Sequence, residues 1–179
     1  MALLRGVNVG GRNRLAMADL REIIESLGHR QVRTYIQSGN ALFTTDEDGP
    51  TQDGSALAVK IRDRIAERRG LDVDVMVRDR DDLEAIVAGV PFPGVDPRRL
   101  QVAFLSDPPT RGAARALESI EAAPEAVRVD GTVAYLHLPN GVGRSVLAPQ
   151  VERRLMVRAT VRNLATVRTL LAMADSPPD

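Results

Sequence analysis

The sequence predicts an α+β protein of two ferredoxin-like halves, each ordered β-α-β-β-α-β(-α), related by internal duplication and packed as one compact unit. Runs with strand-like alternation and runs with helical spacing follow one another in the same order twice. A proline-rich segment at residues 91–100 separates the two series. Short fragments also recur at equivalent points. They are Val32-Arg33 with Val127-Arg128, and Val77-Arg78-Asp79 with Val161-Arg162-Asn163.

Composition indicates a globular chain with an aliphatic core. Of the 179 residues 44% are hydrophobic, and the chain has no Trp, no Cys, two Tyr and three Phe, so aromatic packing and thiol chemistry contribute little or nothing. The 24 basic and 24 acidic residues cancel, which argues against a nucleic-acid partner while leaving room for a local basic patch. Because no signal peptide and no long apolar run are present, we expect a cytoplasmic protein with no membrane partner.

The first half begins with a short apolar strand, Ala2-Leu3-Leu4, and a polar loop that leads into a helix. Apolar residues at steps of three and four define the buried face of that helix: Met17, Leu20, Ile23, Ile24 and Leu27. A hairpin follows, with strands at 32–36 and 41–45 joined by the turn Gln37-Ser38-Gly39-Asn40.

The rest of the first half is a loop, a helix, a strand and a second helix. The loop from Asp46 to Gly54 is acidic and contains Gly and Pro. The helix after it turns Leu57, Ile61 and Ile65 inward, and a strand at 73–77 follows. Asp79 then caps the next helix, since its carboxylate favours the positive end of the helix dipole.

The second half repeats this order. Its predicted elements are a strand at 102–105, a helix at 111–121, a hairpin of 126–129 and 133–138, a helix from about Ser145 to Leu155, a strand at 157–161 and a helix at 163–173. The expected organisation is therefore a first half at 1–90, a linker at 91–100, a second half at 101–174 and a disordered tail at 175–179.

The loop after the first strand is a candidate binding site, because ligands of α/β units bind outside the carboxyl ends of strands. Glycines let backbone N–H groups approach an anion, and a helix N-terminus favours negative charge. The candidate residues are Arg5, Gly6, Asn8, Gly10, Gly11 and Arg12. Their spacing is neither the Walker pattern nor the dinucleotide fingerprint. A tight connection that needs glycines at positive φ explains the same glycines without a ligand.

The hairpin loop is the second candidate, with Gln37, Ser38, Gly39 and Asn40 as its residues. Gly and Asn are ordinary turn residues, so a simple turn accounts for two of the four positions. Ser38 is not expected to be a nucleophile, because it lacks the Gly-x-Ser-x-Gly elbow and a neighbouring base. A third polar candidate is Arg162-Asn163, which lies at a predicted strand end before a helix.

Tyr35 and His137 are the acid/base candidates if the protein is an enzyme. By the two-residue period of strands, Tyr35 shares a face with Gln37, and Tyr135 shares one with His137. These two faces either meet each other, as the contact between halves, or meet a ligand. No metal-ligand spacing is present, and the sequence does not identify a cofactor. Helix capping explains the acidic run at 72–84 better than a cation does.

Several motifs resemble the bacterial domain of unknown function 1697 family. They are Ala2-Leu3-Leu4-Arg5-Gly6-Val7-Asn8-Val9-Gly10-Gly11, Met17-Ala18-Asp19-Leu20-Arg21, Val32-Arg33-Thr34-Tyr35-Ile36-Gln37-Ser38-Gly39-Asn40, and Thr160-Val161-Arg162-Asn163 with Thr166-Val167. Leu164 stands where that family usually has an aromatic residue. The resemblance covers almost the whole chain and implies a compact α+β protein. It also implies that the polar motif loops form a shared site, and it supplies no activity.

Three functions follow as hypotheses. The first is a binding module for a small anionic or phosphorylated ligand at the Arg5–Gly11 and Gln37–Asn40 loops. The second is a small enzyme at the same site, with Tyr35 or His137 as acid/base. The third is an RNA- or protein-interaction module that uses an open sheet face, although the chain offers few aromatic residues for stacking on RNA bases.

Overall fold

A computed structural model describes residues 1–11, 13–45 and 54–176. The candidate residue Arg12, residues 46–53 of the predicted acidic loop 46–54 and the end of the predicted tail at 177–179 lie outside these residues. The chain divides into two compact units, which we call unit 1 (Met1–Asp82 with Leu170–Asp179) and unit 2 (Leu83–Thr169). The expected boundaries at 90, 100 and 174 stay predictions.

The element order β-α-β-β-α-β-α occurs twice. The first series is β1 (Ala2–Leu4), α1 (Met17–Glu25), β2 (Arg30–Thr34), β3 (Asn40–Thr44), α2 (Gly54–Arg69), β4 (Val75–Val77) and α3 (Arg80–Ala88). The second series is β5 (Leu100–Leu105), α4 (Arg111–Glu118), β6 (Ala126–Asp130), β7 (Val133–His137), a 3-10 turn (Val142–Arg144), α5 (Gln150–Leu155), β8 (Ala159–Asn163) and α6 (Leu164–Asp175). None of the helices in the described ranges is long and apolar enough to cross a membrane.

Each series forms a four-stranded antiparallel sheet, and the predicted α+β class is confirmed. The strand orders β2-β3-β1-β4 and β6-β7-β5-β8 are the same, and this is the ferredoxin-like order. The register also coincides. The central row is Ala41, Ala2 and Val77 in the first sheet, and Ala134, Ala103 and Val161 in the second. Equal order and equal register support the predicted internal duplication.

The fragment after the last strand of each sheet is equivalent in detail. The guanidinium of Arg78 donates to the carbonyl of the residue before it at 2.8 Å, and Arg162 does the same at 2.9 Å. Asp79 and Asn163 then cap the following helix, because their Oδ1 atoms accept the N–H of the residue three positions on, at 2.7 and 2.8 Å. The predicted match of Val77-Arg78-Asp79 with Val161-Arg162-Asn163 is therefore confirmed.

Both faces of the first sheet are buried. Ala2 and Leu4 share one face of β1, because every second residue of a strand faces the same side. On that face Leu4 lies in a core with Leu20 of α1 and Ile61 of α2. On the other side Leu3 is 0% exposed and Leu42 is 5% exposed. The open sheet face of the third hypothesis is therefore not present at these positions.

The second sheet follows the same plan. Leu105 and Leu136 pack with Leu117 of α4 and Leu155 of α5 on the helical side. On the opposite side Tyr135 is buried, and its hydroxyl donates to the carbonyl of Ile86 on α3 at 3.0 Å. Within unit 2 this tyrosine is thus part of the packed interior, and its hydroxyl is used on a backbone carbonyl.

Several predicted boundaries differ from the structure, and two of them have a clear physical cause. Strand β2 stops at Thr34 because Ile36 has a φ of +49°, which is incompatible with an extended strand. Helix α5 begins at Gln150 rather than near Ser145, because Pro149 is its N-cap and disfavours helical geometry in the residue before it. The carboxylate of Glu125 instead accepts the hydroxyl of Ser145 and the N–H groups of Val146 and Leu147, at 2.8 to 3.2 Å.

Candidate functional site

Asn8 joins the two candidate loops. Its Nδ2 donates to the carbonyls of Gln37 and Leu15, both at 2.8 Å, and its Oδ1 accepts the N–H of Leu15 at 3.0 Å. Leu15 stands just before Ala16, the N-cap of α1. One side-chain amide therefore holds the β1–α1 loop, the β2–β3 loop and the start of α1 together.

The loop around Asn8 is shaped by residues in the left-handed region. Asn8 has a φ of +56° and Asn13 of +47°, a conformation that asparagine tolerates better than most residues. The N–H of Asn8 donates to the carbonyl of Asn13 at 3.1 Å, and Nδ2 of Asn13 donates to the carbonyl of Gly6 at 3.3 Å. These contacts close the loop on itself.

Gly39 allows the second loop to lie directly on the first. A Cβ atom at Gly39 would stand 2.5 Å from Cγ2 of Val7 and 2.7 Å from Cβ of Leu4, and its φ is +75°. The N–H of Leu4 donates to the carbonyl of Gly39 at 2.8 Å. Glycine is thus required by close approach and by backbone conformation together.

Asn40 stabilises the hairpin loop from inside. Its side chain is 0% exposed, and Nδ2 donates to the carbonyl of Tyr35 at 2.9 Å and to Oγ of Ser38 at 3.0 Å. The N–H of Tyr35 donates back to the carbonyl of Asn40 at 3.1 Å. The sequence suggested Asn40 as a ligand contact, but its burial and bonding make it a structural residue.

The groups that remain at the surface of these loops include cationic groups and N–H donors, beside the exposed side chains of Val9 and Ile36. Gly10, Gly11, Arg14 and the side chain of Gln37 are exposed. Arg5 is partly exposed and forms an ion pair with Asp74, with 3.6 Å between Nη1 and Oδ2. We call this set, together with the first turn of α1, the loop surface.

The profile of a family described as a protein of unknown function, DUF1697, matches residues 1–135, which include both loops. The chain belongs to the DUF1697 family. No curated protein matches the chain.

One solved structure resembles this DUF1697 protein over nearly its full length. It is the conserved bacterial protein SP0830 from Streptococcus pneumoniae, at a TM-score of 0.70 and 24% identity, and the match covers 97% of this chain and 96% of that one. At this identity the likeness shows the fold alone. The two-sheet α+β architecture is therefore shared with a protein of distant sequence.

The remaining candidates lie away from the two loops in sequence and belong to unit 2. Burial lowers the pKa of Arg162 to about 10, and its Nη1 donates to Oγ1 of Thr160 at 2.9 Å. Asn163 is the helix cap described above. His137 is half-buried at the end of β7, with its ring centroid 6.1 Å from that of Phe92. Arg162 and Asn163 thus have structural contacts in this DUF1697 protein.

Sequence reasoning missed three residues that shape the loop surface: Asn13, Leu15 and Asp74. Asn13 carried a usable signal, because an asparagine that follows Gly-Gly in a loop favours the left-handed region. Leu15 and Asp74 carried none, since their roles depend on backbone groups and on a contact distant in sequence. Within the described ranges, no three His, Asp or Glu side chains are grouped so as to hold a metal ion.

Proposed function

We propose that this DUF1697 protein binds a small anionic ligand at the loop surface of unit 1. The observation that carries the proposal is the bonding of Asn8, which consumes its own amide and brings two loops and a helix start to one place. Because its amide is already hydrogen-bonded to the backbone, Asn8 positions the loops and is not itself a ligand contact. The ligand contacts then fall to the exposed groups around it, Gly10, Gly11, Arg14 and Gln37.

The N-terminus of α1 supports an anion at this surface. Helix α1 has nine residues, and its N-cap Ala16 provides no side-chain hydrogen bond to the first turn. The first N–H groups of a helix lack intrahelical partners and lie at the positive end of its dipole. The acidic residue of that turn, Asp19, forms an ion pair with Arg69 at 2.7 Å, so its charge is balanced.

The chemistry of the surface suits a phosphate or carboxylate group. Exposed glycine backbone lets an oxygen atom approach N–H donors closely. An arginine adds a planar pair of donors that matches either anion, and the amide of Gln37 adds one neutral donor. Because the loop surface presents arginine, amide and glycine backbone groups, we propose a small anionic group of a metabolite as the ligand, contacted chiefly by Arg14, Gln37 and the Gly10–Gly11 backbone, with Arg5 beside them.

The test is a thermal-shift screen of inorganic phosphate, sugar phosphates, nucleoside monophosphates and dicarboxylates. A ligand at 100 times its dissociation constant adds about 2.7 kcal/mol to the free energy of unfolding. We expect Gln37→Ala and Arg14→Ala to reduce the shift without lowering the melting temperature of the unliganded protein. Arg144→Ala, an exposed arginine of unit 2, is the matched control.

Two outcomes would contradict the proposal. One is a screen in which no anion raises the melting temperature. The other is a shift that Arg144→Ala reduces as much as Arg14→Ala does, because that result would indicate a general charge effect rather than a site.

A further inference from the structure

The charges of the chain are unevenly distributed between its units. The whole sequence is neutral, but unit 2 contains eleven arginines against eight carboxylates, a net charge of +3. Neutrality of the chain led us to expect no nucleic-acid partner. The neutral sum nevertheless leaves room for a local basic patch on one unit.

Four exposed arginines of unit 2 lie on two of its helices: Arg111 and Arg115 on α4, and Arg153 and Arg154 on α5. In the described part of the chain none of the four has a carboxylate partner. Two arginines of helix α2 in unit 1 differ, since Arg64 pairs with Glu67 at 3.0 Å and Arg69 with Asp19 at 2.7 Å. Unit 2 therefore presents cationic charge that its own side chains do not neutralise.

The fold brings the four arginines to one end of unit 2. Helices α4 and α5 pack against each other. The N–H of Ser106, just after β5, donates to the carbonyl of Arg158, just before β8, at 2.9 Å. Helix α4 starts shortly after Ser106 and α5 ends shortly before Arg158, so the start of one and the end of the other meet there. We call the surface formed by the four arginines the basic end.

Two nearby carboxylates face backbone donors inside the unit, whereas Asp107, between Ser106 and α4, is exposed. Glu118 accepts the N–H of Val129, and Glu152 accepts the N–H of Ala159, both at 2.8 Å. At the corresponding end of unit 1 the positive charge is paired with a carboxylate. There the N–H of Arg5 donates to the carbonyl of Asp74 at 2.9 Å, and the two side chains form an ion pair, whereas the equivalent residues of unit 2 are Ser106 and Arg158.

We propose that the basic end binds the phosphodiester backbone of nucleic acid without regard to base sequence. Arginine forms paired hydrogen bonds with phosphate oxygens. Gly112 and Ala116 each follow an arginine of α4 and are exposed, and a Cβ at Gly112 would meet nothing within 4 Å, so a strand can approach closely. Neither α4 nor α5 contains an aromatic residue, so bases are not stacked and only the backbone is contacted.

Met156 identifies the competing partner. It ends α5 beside the basic end and is 83% exposed, with a φ of +58°. An anionic membrane would use both the arginines and this apolar side chain. A phosphodiester backbone would use the arginines alone, so Met156→Ser distinguishes the two partners.

The test is fluorescence anisotropy of the full chain with a labelled DNA duplex and a labelled single-stranded RNA of mixed sequence. Four phosphate contacts give a slope near −3.6 for log K against log salt on duplex DNA, so affinity should fall about 100-fold between 50 and 200 mM salt. Each double variant, Arg111→Ala/Arg115→Ala and Arg153→Ala/Arg154→Ala, should make the slope shallower by about 2. Met156→Ser should change neither affinity nor slope.

The control is Lys60→Ala/Arg68→Ala, which removes the same charge from exposed positions of α2 in unit 1. Circular dichroism of each variant checks that the fold is intact. The proposal is overturned if the wild type does not bind at 50 mM salt, or if the control loses as much affinity as the α4 and α5 variants. It is also overturned if vesicles containing phosphatidylserine bind in a manner that needs Met156 while both nucleic acids do not.

Discussion

The side-chain amide of Asn8 donates to the carbonyl of Gln37 at 2.8 Å, across 29 positions of sequence. The same amide also bonds to the carbonyl and the N–H of Leu15. Because all three bonds come from one rigid group, the loops and the start of α1 are expected to keep or lose their arrangement together.

Asn8→Ala should therefore destabilise the protein strongly. Loss of three hydrogen bonds costs about 2–4 kcal/mol, and alanine at the φ of +56° adds about 1 kcal/mol. Asn8→Gly removes the same bonds but tolerates the φ, so it should cost about 1 kcal/mol less than Asn8→Ala. Urea unfolding gives the free energy of unfolding of the wild type and of both variants. Asn140→Ala, at an exposed loop position, is the control. If Asn8→Ala lowers the free energy of unfolding no more than Asn140→Ala does, the proposed role of Asn8 is contradicted.

Gly39 and Gly11 form a matched pair for separating backbone conformation from close approach. Their φ angles are +75° and +77°, but only Gly39 has a neighbour within reach of a Cβ, Val7 at 2.5 Å. Gly11→Ala should cost about 1–2 kcal/mol from conformation. Gly39→Ala should cost about 1–3 kcal/mol more, because Val7 and Leu4 must move. Equal melting temperatures for the two variants would show that the loops do not lie against each other.

Tyr135 connects α3 to the second sheet in unit 2 through its bond to Ile86. Tyr135→Phe keeps the ring and removes the hydroxyl, and leaves a buried carbonyl without that donor. We expect a loss of about 1 kcal/mol in the free energy of unfolding. Faster amide exchange in α3, with little change in β6, would show that the effect is local. A variant as stable as the wild type would contradict the bond.

The same tyrosine predicts a pH dependence. Burial, with a smaller contribution from the charge of Asp130, raises the pKa of Tyr135 to about 12 from the usual 10.0. The folded state then holds a proton that the unfolded state releases, so stability should fall as pH rises from about 10 to 12. Burial lowers the pKa of Arg162, which acts in the opposite direction in this window. The difference between wild type and Tyr135→Phe isolates the tyrosine, and it should shrink as pH rises.

Arg33 holds the end of α6 within unit 1. Its Nη2 donates to the carbonyls of Met173 at 2.6 Å and Ser176 at 3.3 Å. Arg33→Ala should raise amide exchange over Leu170–Asp175 by about 10- to 100-fold, because charged hydrogen bonds of this kind contribute about 1.5–3 kcal/mol. Arg80→Ala is the control. It breaks an exposed ion pair with Asp175 worth less than about 1 kcal/mol, so its effect on exchange should be clearly smaller.

The order of elements could be predicted because the signals are local. Alternation in Val133–His137, helical spacing in α1 and the cap at Asp79 each depend on residues close in sequence. The repeated fragments Val32-Arg33 and Val127-Arg128 also proved equivalent in register, since Arg33 pairs with Leu42 where Arg128 pairs with Tyr135.

The orientation of the loop side chains could not be predicted, because it depends on distant backbone groups. Asparagine is a residue type that often contacts ligands, yet the side-chain amides of Asn8 and Asn40 both donate to backbone carbonyls of the chain. Isoleucine has a high propensity for strands, yet Ile36 has a φ of +49°, and the strand ends before it. A polar loop in the sequence therefore predicts a region rich in hydrogen bonds. Only the structure shows which of its side chains bond to the backbone and which face solvent.

The most direct test of the central claim, that the two loops form one anion-binding surface, is an amide NMR titration of the full chain with the strongest anion of the thermal-shift screen. The account predicts saturable shifts of the Gly10, Gly11 and Gln37 amides with one common dissociation constant. It also predicts that Arg14→Ala raises that constant, while Arg144→Ala leaves it unchanged. Shifts confined to one loop, or different constants for the two loops, would contradict it.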